Sequence, residues 1–274
     1  MNMDQHDFDH FRQFLQEASG ICLAQNKQYL VSTRIRRILS ENEVPSLGQL
    51  IDNLRSNRNS ALREHVIDAM TTNETYWFRD GYPFEYLKTS LLRELQVQQD
   101  SSIRIWSAAC SSGQEPYSIA MAIEEFQRQS FGSNKKQISI LASDLSTSMM
   151  KQAVEGVYDK LSIARGLSRE RLERHFIPLG GDNWQVKPQI KNRIEYRVVN
   201  MLDSYSNLGR FDIIFCRNVL IYFSHELKQS ILKRLHAALK PGGYLCLGSS
   251  EGLGDSMNLF DMVNCNPGII YRAR

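Results

Sequence analysis

Apolar residues recur at helical spacing through the first part of the chain. Phe8, Phe11, Phe14 and Leu15 form one stripe, Leu30, Val31, Ile35, Ile38 and Leu39 a second, and Leu47, Leu50, Ile51 and Leu54 a third. Pro45 is placed to open the third of these helices, and Ser60 to cap a fourth through Met70. No strand-like alternation interrupts them. Residues 1–80 are therefore expected to form a small all-helical domain.

From Pro83 the pattern changes. A predicted helix over Phe84–Leu95 leads to a short apolar strand, Ile103–Trp106, and then to a helix over Glu115–Gln127. A strand Ile138–Ala142, running out at Ser143 and Asp144, precedes a helix over Thr147–Val154. Strands follow at Ile194–Val199, Phe211–Cys216 and Gly243–Leu247, with a helix His225–Leu239 between the last two. Strands and helices alternating at these lengths predict a mainly parallel sheet covered on both faces, the α/β class. Gly268–Arg274 reads as a final edge strand. The stretch 156–192 breaks the alternation. Ser168 starts a short helix, and Gly180, Gly181, Asp182 and Asn183 lie between two short apolar runs, which reads as a hairpin turn. A small β-containing insertion is expected there, inside a domain covering 81–274.

Composition narrows the class without naming it. The chain has 274 residues, 42% hydrophobic, with 33 basic and 30 acidic side chains. A net charge of +3 is too balanced to argue for a nucleic-acid partner. The five cysteines are scattered and form no C-x-x-C pair, so neither zinc nor a disulfide frame is indicated, and Cys216 and Cys246 read as core thiols. The opening residues are polar and no apolar run reaches membrane-spanning length, so a cytoplasmic protein without membrane insertion is expected.

The chemistry concentrates where predicted strands end. After Ile103–Trp106 come Ala108, Ala109, Cys110, Ser111, Ser112 and Gly113, all small, and then the helix opened by Gln114, Glu115 and Pro116. A strand entering a small-residue turn and a helix N-terminus is the ligand edge of a doubly wound sheet. The G-x-G-x-x-G pattern is missing, and Glu115 stands where a phosphate would want positive charge, so a cationic or neutral ligand is expected, such as a nucleoside carrying a sulfonium. Asp144 is placed to bind ribose hydroxyls, with a helix N-cap as the plainer role, for which Ser146 competes. Asn200, Arg217 and Asn218 follow later strands in the same way, and their coincidence with Glu115 and Asp144 points to one site.

Between the two domains, Tyr76, Trp77 and Phe78 read as a hydrophobic seam, while Asn73, Thr75 and Arg79 could point across it into the site. Arg34 and Arg37 share a helix face; a solvated face is the plain reading and contact with an acidic partner the functional one. The six histidines show no metal spacing, and no Ser-His-Asp or Cys-His arrangement stands out. Chemistry that needs no strong base is implied.

At these residues the chain resembles the CheR family of chemotaxis-receptor glutamate O-methyltransferases. The resemblance rests on Thr72-Asn73-Glu74-Thr75 through Phe78-Arg79, on Trp106-Ser107-Ala108-Ala109 with Ser112-Gly113 and Glu115-Pro116-Tyr117-Ser118, on Ala142-Ser143-Asp144, and on Phe215 through Phe223. It implies a class I (Rossmann-like) S-adenosylmethionine-dependent methyltransferase domain with a small β subdomain, preceded by a helical domain. The donor is S-adenosyl-L-methionine, the product S-adenosyl-L-homocysteine, and no metal is implied. By matching position, cofactor binding falls to Asn73, Thr75, Arg79, Glu115, Asp144, Asn200, Met201, Arg217 and Asn218, with Arg79 and Tyr222 near the transferred methyl. The hairpin around Gly180–Trp184 is shorter than in relatives whose β subdomain grips a C-terminal receptor tail, which puts tail tethering in question.

The implied acceptors are glutamates on the cytoplasmic helical domains of chemotaxis receptors, for a monomeric enzyme recruited to membrane receptor arrays, with room for a regulatory protein partner. Arg34 and Arg37 are the candidate receptor contacts. The chemistry agrees: a glutamate with a pKa of about 4.3 is already a nucleophile at neutral pH. Two other readings stay open, a non-catalytic module that senses a nucleoside metabolite and a methyltransferase of another acceptor. A nucleic-acid amino-methyltransferase is disfavoured because Cys216-Arg217-Asn218-Val219 holds no proline.

Overall fold

The computed structural model describes residues 4–56, 60–129 and 136–274. Four helices come first: α1 (Gln5–Ser19), α2 (Gln28–Glu41), α3 (Leu47–Arg55) and α4 (Ser60–Met70). Asp4 caps α1 by accepting from the Asp7 N–H at 2.7 Å, and Gly20, at φ +77°, ends it in a left-handed turn. The apolar stripes of the sequence meet in one core of Phe8, Phe11, Leu15, Val31, Ile35 and Leu50 with their neighbours. Ser46 rather than Pro45 starts α3: its Oγ accepts from the Gln49 N–H at 3.2 Å, with Pro45 one residue ahead of the cap. Ser60 is the first residue of α4, and residues 57–59 before it lie outside the described residues. At the exposed start of α1, Asp4, His6 and Asp7 bring three ligand-type atoms within 4.8 Å, a grouping that the search for histidine spacing did not anticipate.

The second part opens with α5 (Tyr82–Tyr86) and α6 (Leu92–Gln96), joined by a π turn at Leu87–Leu91 where the sequence predicts one continuous helix. β1 (Ser102–Ala108), α7 (Gln114–Gln129), β2 (Gln137–Asp144) and α8 (Thr147–Glu155) follow. The insertion then runs β3 (Val157–Asp159), α9 (Lys160–Ala164), α10 (Arg169–His175), β4 (Phe176–Gly180), β5 (Asn183–Val186) and α11 (Pro188–Lys191). The main fold resumes with β6 (Ile194–Val198), β7 (Phe211–Cys216), α12 (His225–Ala238), β8 (Leu239–Leu247), β9 (Phe260–Cys265) and β10 (Gly268–Ala273).

Seven strands make one sheet in the order β6-β2-β1-β7-β8-β10-β9. The first five are parallel, and β10 runs antiparallel to both its neighbours. The tail strand is therefore interior to the sheet, not its edge. The edge is β9, which the sequence reading missed: only Phe260 and Cys265 of its six residues are buried, so it carries little apolar signal. Adjacent β1 residues go to opposite faces, Ile105 into a layer with Tyr117, Ile123 and Phe215, and Trp106 into one with Ile214, Leu232 and Leu245. From β1 the chain winds outward through β2 to β6, and from β7 it winds the other way to β8. The strand order reverses between β1 and β7, where such sheets bind ligands.

The insertion forms a separate antiparallel sheet, β3-β5-β4, with the expected hairpin between Gly180 and Asn183. It packs on an aromatic group that the sequence reading assigned elsewhere. Trp77 is fully buried, 4.8 Å from the Tyr158 ring and 5.4 Å from the Phe176 ring, both of the insertion. Trp77 and Phe78 thus belong to the core beneath the insertion and not to the seam between the domains. Hydrogen bonds cross the seam between the domains. Asn200 Nδ2 donates to the Ala18 carbonyl at 2.8 Å, Asp68 accepts from the Ser148 N–H at 3.3 Å, and Cys22 N–H donates to the Tyr222 carbonyl at 2.9 Å. All five cysteines are free. Among the described residues no helix is long and apolar enough to cross a membrane.

His175, at the end of α10, gives the fold a pH dependence. Its ring is buried, and its Nε2 has no hydrogen-bond partner, the nearest carboxylate oxygen being Glu124 Oε2 at 4.0 Å. Burial pulls its pKa down to about 4, against the opposing charge of Glu125. The unfolded chain, with a histidine near 6.5, binds the proton first. The stability that depends on neutral His175 is complete above about pH 6.5 and is lost as pH falls toward 4. Between about pH 7 and pH 5 the wild type should lose on the order of 2 kcal/mol more than a His175→Gln variant, measured by urea unfolding at both values. Equal losses in the two proteins would refute this assignment.

Candidate active site

The parallel strands deliver their C-terminal ends to one cleft. Its lining contains Asn73, Thr75, Arg79, Glu115, Asp144, Asn200, Met201, Arg217, Asn218 and Tyr222. Residues far apart in sequence are thus brought together by the sheet order alone. The helical domain also contributes, through Ser19, Ile21 and Met70. Sequence reasoning did not anticipate that wall, because the α1–α2 connection has no motif of its own.

The loop after β1 is shaped by its backbone. Ala109, Ser111 and Gly113 have φ of +57°, +50° and +96°. Alternate left-handed residues fold the loop back on itself, with the Cys110 N–H on the Ser143 carbonyl at 2.9 Å and the Gly113 N–H on the Cys110 carbonyl at 3.1 Å, and the small side chains keep the strain tolerable. At Gly113 a Cβ would also lie 2.9 Å from Ala153 Cβ, so α8 enforces the glycine. The loop is held to β2 by Asp144: Oδ2 accepts from the Ser111 N–H at 2.8 Å and Oδ1 from the Ser146 N–H at 2.9 Å. Ser146, not Asp144, caps α8. Burial raises the Asp144 carboxyl pKa, while these N–H bonds favour its ionised form. Each carboxylate oxygen keeps further acceptor capacity for a ligand.

Glu115 is not the free negative charge that the sequence suggests. Its Oε1 accepts from Ser107 Oγ at 2.8 Å and its Oε2 from Arg217 Nη1 at 3.0 Å. The Arg217 side chain is 1% exposed, and its Nη2 also donates to Asp80 Oδ2 at 2.6 Å and to the Arg79 carbonyl at 2.9 Å. Burial opposes the Arg217 charge, but Glu115 and Asp80 outweigh it, so its pKa is raised. Two buried polar atoms here lack hydrogen-bond partners, Arg217 Nε and Asn218 Oδ1. A buried acceptor left unsatisfied costs about 1–3 kcal/mol, so the Asn218 amide, on the cleft lining, suits a ligand that donates to it.

Asn218 is also left-handed, at φ +59°, and its N–H donates to Glu251 Oε2 at 2.7 Å. Glu251 accepts from Leu220 and Gly248 N–H groups as well, at 2.8 Å each. Sequence reasoning missed Glu251, which lies in the loop after β8, whereas Asp144 is the last residue of β2. It holds the turn Leu220–Tyr222 that presents Tyr222 to the cleft. Asn200 lines the cleft with its amide already used, Nδ2 on Ala18 and Oδ1 on the Leu202 N–H at 3.0 Å. Met201 is a buried apolar part of the wall, with Leu145, Val199 and Phe223 nearby on the lining. Arg79 donates to the Glu74 carbonyl at 3.2 Å, and its guanidinium lies 5.3 Å from the Tyr76 ring centre. Asn73 presents its carbonyl to Ser111 Oγ at 3.0 Å, and Thr75 stands beside it on the lining.

The two arginines of α2 divide. Arg34 is half-buried and donates to the carbonyls of Met70 and Thr71 at 3.0 and 2.9 Å, closing the C-terminus of α4 where the chain turns into the cleft. Its guanidinium is therefore part of the fold and not half of a shared solvent face. Arg37 is exposed and pairs with Glu41 at 2.5 Å.

Residues 73–269 match the family described as CheR methyltransferase, SAM binding domain, and residues 6–71 match CheR methyltransferase, all-alpha domain. A chemotaxis protein methyltransferase of Pseudomonas putida, Cher2, is 54% identical over 269 residues, 98% of each chain. Chemotaxis protein methyltransferase 1 of Pseudomonas aeruginosa is 54% identical over 269 residues, again 98% of each. Chemotaxis protein methyltransferase 1 of Vibrio cholerae is 46% identical over 274 residues, 100% of this chain and 99% of the relative. The helical domain, the mixed sheet with its small antiparallel companion and these full-length likenesses agree: the chain belongs to the CheR family of S-adenosylmethionine-dependent chemotaxis methyltransferases.

Proposed function

We propose that this protein esterifies glutamate side chains on the cytoplasmic helical region of chemotaxis receptors, acting in the cytoplasm at membrane receptor arrays. The observation that carries the reading is the meeting of Asp144, Arg79 and Tyr222 on one cleft at the reversal of strand order. Asp144 accepts the ribose hydroxyls of the donor, and the unsatisfied Asn218 acceptor takes another donor-side hydrogen. Asn73, Thr75, Glu115, Asn200, Met201 and Arg217 complete the donor walls, with Glu115 and Arg217 neutralising each other. When bound, S-adenosylmethionine supplies an activated methyl and its own leaving group.

What remains for the protein is alignment, which can supply up to roughly 7–11 kcal/mol. Arg79 attracts the acceptor carboxylate into the cleft, and the Tyr222 hydroxyl orients it in line with the methyl. Neither group takes a proton, since the carboxylate arrives ionised at neutral pH. Of the two candidate α2 contacts, Arg37 is the exposed one that meets an acidic receptor face.

Three outcomes test this. Asp144→Ala should weaken S-adenosylmethionine binding at least about tenfold by calorimetry, the effect of losing a charged hydrogen bond. Unchanged affinity in a folded variant would remove the ribose role. Tyr222→Phe should lower turnover more than donor affinity, as expected of an interaction made in the transition state; full turnover with poor donor affinity would reassign it to binding. Arg37→Glu should raise the KM for a receptor fragment, most at low salt, with donor affinity intact. A KM unchanged at every ionic strength would leave Arg37 as plain surface charge.

A further inference from the structure

At the mouth of the cleft stands an ion pair between Glu74 and Arg165, which the mechanism above does not use. Glu74 lines the cleft, whereas Arg165 comes from the insertion, just after α9. The Tyr76 ring lies between the chemistry of the two: the Arg79 guanidinium is 5.3 Å from its centre and that of Arg165 5.4 Å. Two guanidiniums therefore meet one aromatic ring, with the Glu74 carboxylate paired to one of them. Among the described residues Arg79 donates to the backbone carbonyl of Glu74 and to no carboxylate.

The placement of Arg165 is built into the fold. Its carbonyl accepts from the Trp77 N–H at 3.1 Å. The next residue, Gly166, has φ +92°, and a Cβ there would overlap the Trp77 carbonyl oxygen. Only glycine lets this turn lie against the backbone that bears Glu74, Tyr76 and Arg79. The ion pair itself is weakly held. The Glu74 and Arg165 side chains are 58% and 50% exposed, and pairs so exposed contribute little net stability and exchange readily.

We infer that Arg165 is a specificity-determining residue that binds an acidic side chain of the acceptor at the cleft mouth, and that Glu74 occupies it as an internal stand-in until the acceptor arrives. The inference rests on the receptor-methylating reading proposed above. An incoming acidic segment exchanges one carboxylate for another on Arg165, so little is lost on release of Glu74. Arg79, deeper on the lining, remains for the reacting carboxylate. Acceptors without a neighbouring acid gain nothing from Arg165 and still face Glu74.

The test is steady-state methyl transfer from labelled S-adenosylmethionine to a soluble cytoplasmic receptor fragment, with donor affinity measured separately by calorimetry. Arg165→Gln should raise the KM for the fragment about tenfold while turnover at saturating fragment and donor affinity hold. Arg165→Lys should recover part of the loss, since it restores the charge without the planar fork. Glu74→Gln should move KM the other way, lowering it several-fold, because the internal competitor is gone. The double variant should match Arg165→Gln alone. If both single variants raise KM, or if they change turnover only, the pair is a structural tether and the inference fails. A wild type that labels the fragment with the same KM as both variants overturns the inference but leaves the receptor-methylating reading standing. A wild type that binds donor but labels no fragment overturns that reading, and this inference with it.

Discussion

One buried cation organises the cleft. The Arg217 side chain, at the end of β7, is almost wholly removed from water and holds Glu115 of α7, Asp80 and the Arg79 carbonyl at once. A lone buried charge is costly, and breaking such a pair by removing one partner typically costs about 3–5 kcal/mol. Each neighbouring segment is therefore fixed by the requirement that this charge be satisfied. The start of α7, the turn before α5 and the end of β7 cannot move independently. The backbone around Arg79 takes its position from a side chain that lies 138 residues further along the chain.

Backbone strain is gathered in the same place. Phe78, Asp80, Ala109, Ser111 and Asn218 all have positive φ, and all lie in the segments that frame the cleft. Non-glycine residues hold such angles only when their surroundings overdetermine them. Here the surroundings are identifiable. Asp144 grips the Ser111 N–H, Glu251 grips the Asn218 N–H, and Arg217 grips the Asp80 carboxylate. Three buried side-chain charges, each spent on the backbone or on one another, keep the loops in conformations that free peptides avoid.

Much of this was legible in the sequence and some was not, for definite reasons. β1, β2 and β7 announce themselves because buried parallel strands are continuous apolar runs, and their ends therefore locate Glu115, Asp144 and Arg217. β9 stayed hidden because an edge strand needs few apolar positions, and its neighbour β10 was then misplaced as the edge. The aromatic triplet at 76–78 was assigned to the domain seam because no local pattern tells which surface a Trp will meet. That was settled by Tyr158 and Phe176, about eighty and a hundred residues later. Arg34 looked like surface charge because its partners are backbone carbonyls, which have no residue identity to read. Glu115 was found by position but not by charge state, since its neutralising partner lies about a hundred residues away.

The hydrogen bond from Cys22 to the Tyr222 carbonyl bears on how such chains can be recombined. The segment 19–23 belongs to the helical domain by sequence yet closes the cleft beside Tyr222. At Gly20 a Cβ would come within 2.7 Å of Leu227 Cδ2 and 3.2 Å of the Phe223 ring, so the two surfaces are fitted to each other at single-atom scale. The natural unit of exchange between related enzymes is therefore not the domain cut at residue 71 or 72. A chimera that swaps the helical domain must carry 200–227 along with it, or it will bring an alien wall to its own active site.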